Sequence, residues 1–405
     1  MKSKIKTNQK KHIKLKDKLD KKFIKKIEKK LKDKLENVKS DYFLMKISAN
    51  LGRKKSLEIF KYNKKNQKRL QLSFKDYKEY SEIFTPIEIE LKVIKIEPDE
   101  IDKLFNSLQE NENPKPSNFI NVIEEEKEYF HIYFNGNKEE TKRYNLNADD
   151  KVSKIKIIID YQVESFEDLF KDCKCIESIS FKKFYRNNVI NLSGMFEGCR
   201  SLKELNLSNF NTTNVRDMQK MFLGCYSLKG LNLSNFNTIN VRGMKSMFNS
   251  CSSLKELNLS NFNTNNVINM SYMFNKCSSL IKLNLHNFNT ENVIDMECMF
   301  YDCSSLKELN LSNFNTIKVI NMRHMFYQCI KLKVLNISNF NTDQVKDMCY
   351  MFYDCYSLNE LNISNIKCNN KTKMSCMFHG LYEKLKMKIK KTIINLKEEH
   401  FNNYL

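Results

Sequence analysis

The sequence predicts an α/β solenoid of short parallel strands and short helices. A mainly helical N-terminal region and a small β-containing cap precede it. Three observations carry this. A Met-Phe pair recurs every 26 residues at Met195, Met221, Met247, Met273, Met299, Met325 and Met351, with a degenerate start at Met377. Within each period, Leu202, Leu205, Leu207 and Phe210 follow an L-x-x-L-x-L-x-x-F pattern, whose Leu205/Leu207 alternation reads as a strand. Val215, Met218, Met221, Phe222 and Cys225 then fall at i, i+3, i+6, i+7 and i+10, the spacing of one helix face. Such a unit is too small to bury a core alone, and stacking units bury a continuous one.

Residues 1–40 read as a Lys-rich helical or disordered arm, with 17 Lys against 5 acids in a chain of net charge +21. A basic arm suits nucleic acid or an anionic surface. Aromatic interleaving is nearly absent from it, which argues for a solvated tail. The chain has 61 Lys, 8 Arg and no Trp, so biased composition supplies much of the basic excess. The first 30 residues hold no apolar stretch of the signal-peptide type, and no run approaches the roughly 20 residues of a membrane span. These features predict an intracellular, cytoplasmic protein.

Residues 41–84 read as a small helical module with Phe43, Leu44, Ile47, Leu51, Leu57, Ile59 and Leu70 in its core and a turn at Gly52. Residues 85–126 read as a strand (Ile87, Ile89, Leu91, Val93), a helix over Asp99–Leu108 and a linker around Pro114 and Pro116. Residues 127–168 form the entry cap. In it, Tyr129–Phe134 and Arg143–Leu146 flank Asn135-Gly136 as a hairpin, Lys154–Tyr161 is a strand and Glu164–Phe170 a helix. The stack covers residues 169–380, starting with a diverged copy at Phe170, Cys173, Ile176 and Ile179. Residues 381–405 form the exit cap through Leu385, Met387, Ile389, Ile393, Ile394 and Leu396.

The repeated text Met-Phe-x-x-Cys-x-Ser-Leu-Lys-x-Leu-Asn-Leu-Ser-Asn-Phe-Asn-Thr-x-x-Val-x-x-Met resembles the 26-residue leucine-rich repeats of BspA-type and DUF285 proteins. The resemblance covers about half of the chain. It implies a right-handed solenoid that binds other macromolecules without catalysis. Bacterial members of this class are typically secreted adhesins or lipoproteins, whereas this sequence shows neither a signal peptide nor a lipobox Cys near its start. Residues 41–70 loosely resemble an F-box, a module that precedes leucine-rich repeats in ubiquitin-ligase substrate receptors. The usual Pro and Trp of that module are missing here.

Three sets of residues stand out in the repeats. Cys199, Cys225, Cys251, Cys277, Cys303, Cys329 and Cys355 share one offset with Cys173 and read as small buried hydrophobes. No C-x-x-C pair exists, the total of 13 is odd, and free thiols suit a reducing compartment. Asn209, Asn235, Asn261, Asn287, Asn313, Asn339 and Asn365 sit at the turn after the strand, where their amides can bond backbone from coil to coil. Tyr301, Tyr327 and Tyr353 share a third offset, with Tyr272, Tyr350 and Tyr356 nearby, and form the candidate partner-binding patch.

No catalytic or cofactor-binding residues are legible. The six His lie outside any nucleophile, metal or phosphate motif, and catalysis needs a converging constellation. Cys298 and His324 share one offset, with Cys376 two coils beyond His324, but scattered ligands of this kind do not define a metal site. The expected function is protein–protein binding or scaffolding. The alternatives are a ubiquitin-ligase substrate adaptor and a surface adhesin, with nucleic-acid binding through residues 1–40 as a further rival.

Overall fold

The computed structural model describes residues 38, 40–60, 64–73, 85–94, 116–147, 149–160, 163–184, 186–367, 372–393 and 396–402. Nearly all of the basic arm, the Asp99–Leu108 helix and most of the Pro114–Pro116 linker therefore lie outside the described residues. The chain divides into two compact units, Met1–Phe84 and Thr85–Leu405.

In the first unit, helix α1 spans Asp41–Phe60 and helix α2 spans Lys64–Arg69. The turn expected at Gly52 does not form, because α1 runs straight through it. Leu44 and Phe60 are buried, with Val38, Ile47, Leu70 and Leu72 packed against them. Phe43, expected in the core, is 61% exposed. It sits about 100° around the helix from Leu44, so this narrow core takes only one of the two.

The second unit opens with a five-stranded sheet. Its strands are β1 (Ile87–Val93), β3 (Phe130–Phe134), β5 (Lys154–Ile159), β6 (Ile176–Lys183) and β7 (Glu204–Asn206), in the order β3-β5-β1-β6-β7. Ile87, Ile89, Leu91, Ile155, Ile157 and Ile159 alternate inward and are buried, as a one-sided strand requires. The expected hairpin turns at Asn135-Gly136 but shrinks to a single antiparallel bridge, Ile132 to Thr141, in place of a pairing with Arg143–Leu146. β3 pairs antiparallel with β5, Phe130 facing Ile159, while β4 (Asn145–Leu146) pairs with β2 (Ser117–Asn118). The apolar face of β3 finds a longer match in Ile155–Ile159 than in Arg143–Leu146. β1 lies between β5 and β6, so the entry sheet draws on residues upstream of 127.

β6 passes the sheet into the repeats. It pairs in parallel with β7, Ile179 facing Leu205. The same 26-residue register joins β8 (Glu256–Asn258) to β9 (Lys282–Asn284) and β10 (Val334–Asn336) to β11 (Glu360–Asn362). Strands and register match expectation, but the short helices of the repeats do not form. Each Val-to-Cys stretch is a run of tight turns instead, and so is the expected helix Glu164–Phe170. Alternate amides close local turns, as Cys225 N to Phe222 O at 3.2 Å. The others cross to the next coil, as Phe222 N to Met247 O at 2.9 Å. A helix this short is marginal alone, and lateral pairing satisfies the backbone without one.

The turns need two left-handed residues per coil. Lys220 and Gly224 fill these places in one coil (φ 56° and 72°), and Tyr272 and Lys276 in another (φ 61° and 55°). Both lie where a type II turn demands positive φ. Gly198 cannot be replaced freely, since a Cβ there would sit 2.2 Å from Asp172 Oδ1.

Columns of identical residues fill the stack. Phe196, Phe222, Phe248, Phe274, Phe300, Phe326 and Phe352 stack ring on ring at 5.5–5.7 Å. Beside them each buried thiol donates to a phenylalanine carbonyl of the coil before, as Cys251 Sγ to Phe222 O at 3.1 Å and Cys277 Sγ to Phe248 O at 3.1 Å. The far end is closed by helix α3 (Glu383–Thr392), which buries Leu385 and Ile389, and by Phe401, stacked 5.4 Å from Phe378. Met387, expected to cover that end, is 58% exposed, because it lies two helical steps from Leu385 on the outer face. Among the described residues, no helix is long and apolar enough to cross a membrane.

Candidate functional site

The parallel strands repeat the same exposed residues, with Asn206 as a representative. Its Oδ1 accepts from Ser208 N at 3.0 Å, so the side chain serves its own turn. The Asn209-type column is likewise occupied. Asn235 Nδ2 donates to Leu207 O at 3.0 Å and Phe210 O at 2.8 Å. Asn261, Asn313 and Asn339 make the equivalent pairs of bonds. Asn209 bonds Phe181 O at 3.2 Å, Asn287 bonds Ser260 O and Asn365 bonds Ser338 O. All seven cysteines of the main column, Cys199 to Cys355, are buried, and burial pushes their thiols up, to about 12 at Cys277 and Cys355. These residues hold the coils together.

Distinct chemistry appears on the turn side of the later coils. Tyr301 and Tyr327 stack with ring centroids 4.6 Å apart and planes 5° apart, and Tyr327 stacks on Tyr353 at 4.9 Å. His379 extends this column, 4.4 Å from Tyr353. A second column runs beside it. His324 stacks on Tyr350 at 4.9 Å, and His324 lies edge-on 5.3 Å from Tyr327. Arg323 sits over the Tyr350 ring at 5.7 Å, a cation–π distance. The rings are half-buried, so each shows one edge to solvent. The structure puts Tyr301, Tyr327 and Tyr353 in one column and Tyr350 in the other, and it adds His324 and His379, which the sequence reading did not count as members. The signal was available, since His379 stands 26 residues after Tyr353 and His324 stands 26 before Tyr350. Tyr356 lies apart from both columns, 56% exposed.

The second column occupies a left-handed place in the turns. Tyr272, Cys298, His324, Tyr350 and Cys376 all have φ between 52° and 61°. A bulky residue in this region costs roughly 1–2 kcal/mol, and Gly194 shows what the backbone alone would choose at this offset.

At the start of that column three potential ligands converge. One donor atom from each of Glu297, Cys298 and His324 lies within 4.8 Å of the other two. Cys298 is buried and the other two are half-buried. The Tyr272 phenol bonds with Cys298 and Glu297, and burial raises its pKa. Burial also pushes the Cys298 thiol up to about 12 and the His324 imidazole down to about 4, with the Arg323 charge adding to the second shift. Arg323 Nε donates to His324 Nδ1 at 3.2 Å. Glu297 went unread in the sequence because its column holds Gln219, Lys245, Ser271, Glu297, Arg323 and Cys349 in turn, with no ladder to notice.

Comparison with known proteins gives a family and a weak likeness to solved structures. No curated protein matches the chain. A crystal structure titled a TLR13–ssRNA13 complex matches at 18% identity, over 53% of this chain and 38% of that one, with a TM-score of 0.23. The chain thus spans well under half of the length of that structure. The family model described as "Mycoplasma protein of unknown function, DUF285" matches residues 164–280, 224–310 and 304–398. Those matches run without a gap from the first turn ladder to the exit cap, more than half of the sequence, and the chain belongs to the DUF285 family.

Proposed function

We propose that the chain is a non-enzymatic leucine-rich-repeat solenoid that binds a protein partner through the aromatic turn side of its later coils. The observation that carries this is the double column of stacked rings, Tyr301–Tyr327–Tyr353–His379 beside His324–Tyr350. Stacking fixes the rotamers before any partner arrives, so little side-chain entropy is lost on docking. Tyrosine joins apolar area to a polar edge, the combination found at binding hot spots. The ladders elsewhere are spent on internal bonds, which leaves this face as the variable one. The twelve described cysteines are buried and none of them is in a disulfide, which supports work in a reducing, cytoplasmic setting.

The test is partner capture from native lysate, followed by affinity measurement on the purified pair. Tyr301→Ala, Tyr327→Ala and Tyr353→Ala combined should weaken binding on the order of 100-fold. The circular-dichroism melt should keep its shape. Unchanged affinity in the triple variant rules the ribbon out.

The adaptor reading keeps one supporting observation. Tyr42, Phe43 and Met45 of α1 are 61%, 61% and 49% exposed, an apolar strip on a short helical unit. Deleting residues 1–84 would then abolish capture of a ligase subunit while leaving the ribbon's partner bound.

A further inference from the structure

We propose that Glu297, Cys298 and His324 form a binding site for one zinc ion that clamps two adjacent coils. The donor set is one thiolate, one imidazole and one carboxylate, all ordinary zinc ligands. Their atoms already lie within 4.8 Å of one another. Zinc with bonds of about 2.0–2.3 Å holds tetrahedral donors about 3.3–3.8 Å apart, so closure needs rotamer shifts of roughly 1 Å. Half-buried Glu297 and His324 give access from solvent, while buried Cys298 forms the floor. Among the described residues no other group of three such ligands converges in this way.

Placement makes the set more than a coincidence of composition. Cys298 and His324 occupy equivalent left-handed positions in consecutive coils, with φ 52° and 55°. The amide of Cys298 bonds Arg323 O at 2.9 Å, so the two coils are locked in register at the site. Neither residue is needed by the turn, which accepts Gly194, Lys220 and Ser246 at the same offset.

Binding balances simply. The Cys298 thiol releases its proton to solvent and becomes the thiolate ligand. Thiolate and Glu297 carboxylate then offset the two charges of the ion. His324 Nδ1 now accepts from Arg323, so that bond must open before the imidazole can use this nitrogen. Asp347 Oδ2, 3.8 Å from Arg323 Nη1, stands ready to hold the guanidinium once it leaves. Three protein ligands leave a fourth position for water.

The test titrates Zn²⁺, in competition with a chromophoric chelator, into full-length reduced protein stripped of metal. Expected are one equivalent of tight binding and, with Co²⁺ as probe, a thiolate-to-cobalt charge-transfer band. Cys298→Ser and His324→Asn should each weaken Zn²⁺ binding on the order of 100-fold, with His324→Asn chosen because Asn accepts positive φ. Cys349→Ser, a buried thiol outside the trio, should bind as the parent does. Zinc-loaded protein should melt higher than the stripped form, since the ion binds only the folded arrangement. Absence of uptake by the parent overturns the proposal. So does undiminished binding by either ligand variant, or an equal loss in Cys349→Ser. Should Cys298→Ser fail to fold, the half-buried Glu297→Gln decides by the same titration.

Discussion

Thr264 bonds the same neighbour twice. Its Oγ1 donates to Asn289 O at 2.7 Å and accepts from Asn289 N at 2.8 Å, so one hydroxyl satisfies both backbone groups of a residue in the next coil. Thr212, Thr238, Thr290 and Thr316 do the same, and all are buried. Thr264→Val keeps the shape and strands both groups of Asn289. It should cost about 2–4 kcal/mol in chemical denaturation, while Thr264→Ser should cost less than half as much. Equal losses for Val and Ser would show that packing, not the hydroxyl, matters. This column escaped the sequence reading. The thiol and asparagine columns were legible because identity recurs at one offset. The threonine recurs as faithfully, but its role depends on a neighbour 25 residues on that only the folded stack reveals.

At the scale of the coil, the strand was legible and the helix was not. Leu205 and Leu207 alternate with a period of two, which few structures other than a strand produce. Met218, Met221, Phe222 and Cys225 are spaced as on a helix, yet a chain of tight turns carries the same spacing when two residues per coil turn left-handed. Those residues are Lys, Ser, Tyr, Asp or Gln far more often than Gly, so no glycine signal announced them. This gives a prediction. Lys276 is exposed with φ 55°, and Lys276→Gly should stabilise the fold by about 0.5–1 kcal/mol, with Lys276→Val losing at least as much. A melt in which Gly lowers stability would mean that the Lys side chain contributes a contact stronger than the strain.

Across the whole stack, the seven buried thiols from Cys199 to Cys355 titrate far above their ordinary value of 9.0. Above pH 9 the unfolded chain loses these protons and the folded one keeps them. Stability therefore falls as pH rises, by about 1.4 kcal/mol per pH unit for each thiol whose proton the folded state keeps, a range that reaches about 12 at Cys277 and Cys355. The melting temperature should drop steeply between pH 8.5 and pH 10.5, and replacing one ladder cysteine by Ala should make that slope measurably shallower. A flat profile would place the thiols in contact with water. The same stack has a mechanical consequence. Each coil is joined to the next by bonds running along the direction of stacking, from Phe196 N to Met221 O, Phe222 N to Met247 O and onward. Pulled from its two ends, the protein would yield one coil at a time, like a roll of tape. A force trace should be a sawtooth whose teeth are spaced by the contour of 26 residues, about 90 Å.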